Sequence, residues 1–217
     1  MHIHYLSQNN SILNHFLAQI RDVKVQKDTM RFRKNIERVG EIMAYEISKT
    51  LEYAPVSITT PFGTKETEFV KKPVVVCSIL RAGLTLHNGL LNFFDDADSG
   101  FVSAYRYHPN NDDEFVIQTQ YQAVPNLTGK TLLLADPMLA TGLSLEAVFK
   151  NIVATNKPEE IHIAVVIAAP EGIAHLQETL PDNVHLWVAD KDEYLNSHKY
   201  IVPGLGDAGD LAYGERL

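Results

Sequence analysis

The hydrophobic pattern changes character about one third of the way along the chain. From Asp28 to Leu51, the apolar residues Phe32, Ile36, Val39, Met43, Ile47 and Leu51 recur at steps of three and four. Arg31, Lys34, Arg38 and Glu41 fall mostly on the other faces. That period predicts an amphipathic helix with Asp28 or Thr29 as its N-cap. Pro55, Pro61 and Gly63 then predict a loop or an irregular edge. From Lys72 onward the pattern becomes short apolar runs separated by helical segments. Strands are expected at Val74–Ile79, Phe101–Tyr105, Leu132–Ala135, Ile161–Ala168 and Val184–Val188. Helices are expected at Leu84–Phe94, Leu143–Val153 and Gly172–Leu180. Continuous β-branched runs without alternation suit strands buried on both faces, as in a parallel sheet with crossover helices. The expected class is therefore α/β, an open and mainly parallel sheet flanked by helices.

Two stretches break the pattern. Tyr107 to Asp113 is a polar turn between strand-like flanks, a hairpin tip or flap. Ile201 to Asp210 holds three glycines and one proline in ten residues, which predicts neither a regular helix nor a central strand. Its Ile201, Val202 and Leu205 are nevertheless too apolar for a solvated tail.

Composition narrows the function. With 217 residues, 45% hydrophobic and 21% charged, the chain has the make-up of a folded globular protein. A net charge of −8 argues against non-specific nucleic-acid binding, which needs a basic face, but not against a small anionic substrate. Cys77 is the only cysteine and lies in the run Val74-Val75-Val76-Cys77-Ser78-Ile79, so it reads as a buried strand thiol. No window reaches the ~18 apolar residues that span a bilayer, and the first residues do not resemble a signal peptide. A cytoplasmic location without a membrane partner is expected. The nine histidines are scattered; only His2 and His4 are close, on an end expected to be mobile. That scatter argues against a histidine-based metal site.

The candidate chemistry lies in Thr131 to Ser144. An apolar strand ends at Asp136, a tight loop follows, and Thr141-Gly142-Leu143-Ser144 opens a helix. Free N–H groups at a helix start, two hydroxyls and a glycine that permits close approach form an anion cradle, with Asp136 beside it to accept from sugar hydroxyls. An ordinary strand-to-helix turn with Thr141 as N-cap would show the same residues.

Asp136-Pro137-Met138-Leu139-Ala140-Thr141-Gly142 resembles the motif by which type I phosphoribosyltransferases bind PRPP (5-phosphoribosyl 1-diphosphate), in the form found in uracil phosphoribosyltransferases. In the same order, Ile79-Leu80-Arg81-Ala82-Gly83-Leu84 resembles that family's pyrophosphate loop, and Ala169-Pro170-Glu171-Gly172 a turn of its central fold. Tyr200 to Asp210 is similar to its uracil-binding hood, and Ile20-Arg21-Asp22 to its helical start; the likeness covers about residues 15 to 212. It implies one phosphoribosyltransferase domain over 1–217, with a helical segment at about 10–52, a PRPP-binding core at about 72–190 and a hood at about 191–212. It implies an enzyme that joins uracil to PRPP and releases pyrophosphate and UMP. The segment from Asp136 to Ser144, with Pro137, Met138, Leu139, Ala140 and Leu143 as parts of its loop, would hold PRPP. Within it Thr141, Gly142 and Ser144 would take the 5-phosphate. Arg81 and Arg106 would neutralise the diphosphate, because the arginine fork contacts phosphate bidentately. Ile201, Gly206, Asp207 and Ala208 would frame uracil, and Asp207, directly or through water, would meet a Mg²⁺ cofactor. By the same resemblance, a strained or cis non-proline peptide is implied within the Leu80 to Ala82 stretch, as in pyrophosphate loops of this fold. The resemblance also implies a homodimer or larger assembly, and GTP activates some members.

Pro137 and Ala140 stand where many related transferases carry acids, which fits the uracil branch and leaves no obvious protein base for N1. Leu143 and Leu211 depart from the family, where a second glycine and a basic residue are usual. The alternative function is a PRPP- or nucleotide-sensing regulator on the same fold. Such relatives add a basic face, which a charge of −8 does not suggest.

Overall fold

The structure is a computed structural model that describes residues 1–107 and 116–215, with the backbone alone described for 104–107 and 116–119. The chain opens with β1 (His2–Tyr5), α1 (Leu13–Arg21) and α2 (Thr29–Ser48). Next come β2 (Tyr53–Thr60), β3 (Gly63–Val70), β4 (Val74–Leu80), α3 (Gly83–Leu91), β5 (Asp98–Tyr107) and β6 (Val116–Ala123). Then follow β7 (Thr131–Ala135), β8 (Met138–Leu139), α4 (Leu143–Thr155), β9 (Glu160–Ala168) and α5 (Pro170–Thr179). The chain ends in β10 (Val184–Lys191), β11 (Tyr194–Leu195), β12 (Ile201–Val202) and α6 (Ala208–Tyr213).

The main sheet runs β1-β10-β9-β7-β4-β5-β6, with β8 paired to β9. Its pairs are parallel except for the edge strand β6, which returns antiparallel to β5. The expected α/β class holds, and its physical basis is visible in β4 and β7. Val74–Ile79 and Thr131–Ala135 are buried throughout, because helices cover both faces of the sheet. On one face Val76, Leu133 and Trp187 pack with Phe32, Val39 and Met43 of α2 and Leu86 of α3. On the other, Val75, Leu134 and Ile163 pack with Val148 and Ile152 of α4 and Leu176 of α5. Each such burial contributes roughly 1.5–3 kcal/mol before chain entropy is set against it. Cys77 faces this core as expected, and burial pushes its thiol up to about 12. Asp28 caps α2, its carboxylate accepting the Arg31 N–H at 3.0 Å.

The structure corrects four expectations. The segment with Pro55 and Pro61 is a regular antiparallel hairpin, β2 with β3, in which Pro55 sits opposite Glu68. A two-stranded ribbon has two outer edges, so the N–H that proline lacks need not be missed. The first residues are not a loose end: β1 pairs in parallel with β10, His2 opposite His185 and Tyr5 opposite Val188. Nor are the histidines all scattered. Register brings His2, His185 and His162 into one row across three strands, and His4 stacks on Trp187 at 3.9 Å. His4 Nε2 and His185 Nδ1 share a hydrogen bond of 3.0 Å. Finally, the glycine-rich C-terminal stretch does hold a helix. α6 starts at Ala208, because Asp207 caps it by accepting the Asp210 N–H at 2.9 Å. Among the described residues, no helix is long and apolar enough to cross a membrane.

Candidate active site

Strand order locates the site. From β4 the chain moves outward through α3 to β5, and from β7 it moves the opposite way through α4 to β9. β4 and β7 are neighbours, Ser78 opposite Ala135, so the order reverses between them. Ligands of open α/β sheets sit at the carboxyl ends of strands at such a reversal. A cavity of about 640 Å³ opens there.

Its floor comes from the loops after these two strands. Arg81 follows β4, and the Leu80–Arg81 peptide is cis, as expected for this loop. Asp136 ends β7; Met138, Leu139, Ala140, Thr141, Gly142 and Ser144 line the wall beyond it. Ile201, Gly206, Asp207 and Ala208 close the cavity from the hood side. Twelve of the expected site residues therefore meet around one volume. Pro137, in the same loop, and Leu143, the first residue of α4, do not line the cavity. Arg106 is placed on β5 by its backbone, and its side chain lies outside the described residues, as do residues 108–113 of the expected tip.

Two glycines shape the phosphate-type loop. Gly142, at φ 84°, is the N-cap of α4, and a side chain there would strike His175 Cδ2 at 2.9 Å. The alternative of an ordinary turn capped by Thr141 does not hold: a left-handed glycine takes the N-cap position, and the Leu143 N–H only grazes Thr141 Oγ1 at 3.5 Å. The first turn of α4 keeps N–H groups without intrahelical partners, the requirement for holding an anion. Behind the loop, a Cβ on Gly172 would lie 2.3 Å from the Ala140 carbonyl, so α5 presses directly on the wall. His175 braces the same point through a 2.6 Å contact with Glu146. The Ala169 to Gly172 motif supplies the N-cap and the first turn of α5, which begins at Pro170, two residues before the expected Gly172.

Asp136 is enclosed on every side but the cavity, and this burial pushes its carboxyl up to about 7, against the weaker opposing effect of the Met138 N–H. An acid whose folded pKa exceeds its unfolded value binds its proton more tightly when folded. Stability of the ligand-free protein should therefore fall as pH rises from about 4 to about 7. Asp136→Asn should remove that decline and make the protein more stable at pH 8 by about 1–3 kcal/mol, less than the full three-unit shift because the carboxyl meets the cavity. Urea denaturation at pH 5 and pH 8 checks this; the same pH slope in both proteins would refute it.

Several lining residues lay outside the sequence-based set. His198, Lys199 and Tyr200 lie in the turn between β11 and β12, and Gly209 is the second residue of α6. Arg21 acts from behind the hood, donating to the Gly204 carbonyl at 2.9 Å and to Asp192 Oδ2 at 3.0 Å. Its place in the Ile20-Arg21-Asp22 likeness was the one signal available for it.

The uracil phosphoribosyltransferase family profile matches residues 7–215. The chain is 47% identical to the uracil phosphoribosyltransferase of Porphyromonas gingivalis over 217 residues, 100% of both chains. Among solved structures it is similar to the AQ2163 protein from Aquifex aeolicus, at TM-score 0.86 and 30% identity over 97% of this chain and 98% of that one. A purine phosphoribosyltransferase from Pyrococcus horikoshii shares the fold, at TM-score 0.50 and 16% identity over 73% of this chain and 87% of that one.

Proposed function

This chain belongs to the uracil phosphoribosyltransferase family, and from that premise we propose how its residues carry the transfer. The C1–O bond of PRPP to its diphosphate breaks, C1 bonds to N1 of uracil, the N1 proton passes to the departing pyrophosphate or to water, and UMP and pyrophosphate leave. The 5-phosphate sits on the first turn of α4 with the hydroxyls of Thr141 and Ser144. Asp136 accepts from the ribose hydroxyls, and Arg81, with Arg106, takes the charge that develops on the departing diphosphate. The hood backbone from Ile201 to Ala208 offers N–H and C=O groups to the uracil edge. Positioning and electrostatic stabilisation then supply most of the rate. The observation that carries this reading is the meeting of the Asp136 to Ser144 loop, Arg81 and the hood around one cavity at the sheet's reversal point.

A magnesium ion fits this lining. Two carboxylates, Asp136 and Asp207, border a polar cavity, and Mg²⁺ takes one or two carboxylates with waters and phosphate oxygens. Asp207, whose Oδ1 accepts the Asp210 N–H, would hold it, in part through water. When bound, it would neutralise charge on the phosphate oxygens.

The test is pyrophosphate release from PRPP and magnesium with a panel of bases, with and without GTP. Release that depends on uracil is expected. Release with hypoxanthine or guanine in place of uracil would overturn the base assignment, and none with any base would favour the regulatory alternative.

A further inference from the structure

β11 and β12 pair antiparallel, Leu195 opposite Ile201, and the loop between them is tightly determined. The Asn196 N–H donates to the Tyr200 carbonyl and the Lys199 N–H to the Asn196 carbonyl, each at 2.9 Å. Asn196 Oδ1 accepts from the N–H groups of His198 and Tyr200, both at 3.0 Å. These bonds hold Lys199 at φ 63°, the only positive φ outside glycine among the described residues. Glycine and asparagine fill such left-handed turn positions at little cost, whereas a long side chain is disfavoured there. A non-glycine residue kept in this region by its surroundings points to a function at that position.

Lys199 also faces the cavity that must receive a polyanion. The lining contributes the carboxylates Asp136 and Asp207, and its permanently charged cations are Arg81 and Lys199. Arg81 is partly engaged, with two of its five N–H donors given to Asp210 at 2.7 Å and to the Gly214 carbonyl at 3.2 Å. No carboxylate of the described residues forms an ion pair with Lys199. We propose that Lys199 is a phosphate-binding residue of this site, its ammonium carried on the hood and closing onto a phosphate group of the substrate. The inference rests on the reading that the cavity binds PRPP. It adds a cation that the expected set of Arg81 and Arg106 did not include.

The experiment compares wild type with Lys199→Gly, Lys199→Gln and Lys199→Arg. Binding of magnesium pyrophosphate and of ribose 5-phosphate is measured by calorimetry, beside the thermal midpoint. Lys199→Gly should raise the midpoint by about 2–4 °C, because glycine accepts the turn, while weakening one of the two ligands about tenfold. Lys199→Gln should weaken the same ligand about equally without the gain in midpoint, and Lys199→Arg should stay within about threefold of wild type. A loss confined to pyrophosphate places the ammonium at the leaving group; a loss confined to ribose 5-phosphate places it at the 5-phosphate. Affinities within twofold of wild type for both ligands in the Gly and Gln variants would overturn the proposal. So would a midpoint that falls together with affinity in Lys199→Gly, since the residue would then serve the turn. Uracil-dependent turnover of the wild type is scored separately, so failure of the enzymatic reading is not confused with failure of this one.

Discussion

Arg81→Ala should lower turnover by on the order of 10²-fold or more while leaving the protein folded. The two halves of that expectation have different physical origins. In the structure the guanidinium pairs with Asp210, but the two side chains are 40% and 28% exposed. Exposed pairs of this kind contribute about 0–1 kcal/mol, so a thermal midpoint within about 4 °C of wild type is expected. On the proposed reading, turnover depends on a different contact. Two of the five N–H donors of Arg81 are engaged, by Asp210 and Gly214, and the rest are available to a diphosphate at the same mouth. A charge-assisted contact that strengthens as the leaving group gains charge accounts for roughly 3 kcal/mol of barrier, hence the hundredfold. Arg81→Lys should recover only part of it, because an ammonium lacks the fork. The measurement is turnover at saturating PRPP and uracil with the midpoint alongside. Near-normal turnover would remove Arg81 from the reaction and leave it as a strut between the β4 loop and α6.

The elements legible in the sequence are those whose stability is local or whose burial is complete. α2 was readable because its apolar stripe and its Asp28 cap lie within one segment. β4, β7 and β9 were readable because strands covered on both faces need unbroken apolar runs, and Val74–Ile79 is such a run. What the pattern could not show is pairing between distant segments. Nothing in His2-Ile3-His4-Tyr5 announces that it will lie along β10, since the register with His185 and Trp187 exists only once both strands are placed. The β2–β3 hairpin was hidden by Pro55 and Pro61, which break central strands but not a ribbon with open edges.

The site divides in the same way. The loop from Asp136 to Ser144 was legible because its glycine, hydroxyls and carboxylate are adjacent in the chain. Asp207 was legible as a lining residue, yet its second task as cap of α6 was masked by the low helix propensity of Gly209. Lys199 was invisible for the opposite reason. It occupies a left-handed turn position for which its residue type is a poor indicator, so only the backbone reveals it. Arg21 joins groups about 170 residues away, and no local pattern encodes such a meeting.

Those distant contacts make Arg21→Ala the substitution with the largest expected effect on stability. The guanidinium is 18% exposed and meets Asp190 Oδ2 and Asp192 Oδ1, each at 2.8 Å. The Asp192 side chain is only 3% exposed, so removing Arg21 leaves a nearly buried carboxylate without this cation. Breaking one partner of a buried pair costs about 3–5 kcal/mol, and the partial exposure of Arg21 and Asp190 brings the expectation to about 2–4 kcal/mol. For a chain of this size that is a fall of roughly 5–15 °C in thermal midpoint. The same side chain donates to the Gly204 carbonyl in the hood, immediately after the cis peptide Val202–Pro203. Its loss should therefore also loosen the segment proposed to frame uracil, raising KM for uracil several-fold while KM for PRPP changes little. Arg21→Lys should fall between, since an ammonium cannot reach both carboxylates and the carbonyl in one plane. Adding Asp192→Asn to Arg21→Ala should restore part of the lost midpoint, because the amide removes the uncompensated charge, yet it should not restore KM for uracil, which depends on Gly204. A double variant that recovers both together would mean that Arg21 serves the fold alone and that the hood holds its shape without it.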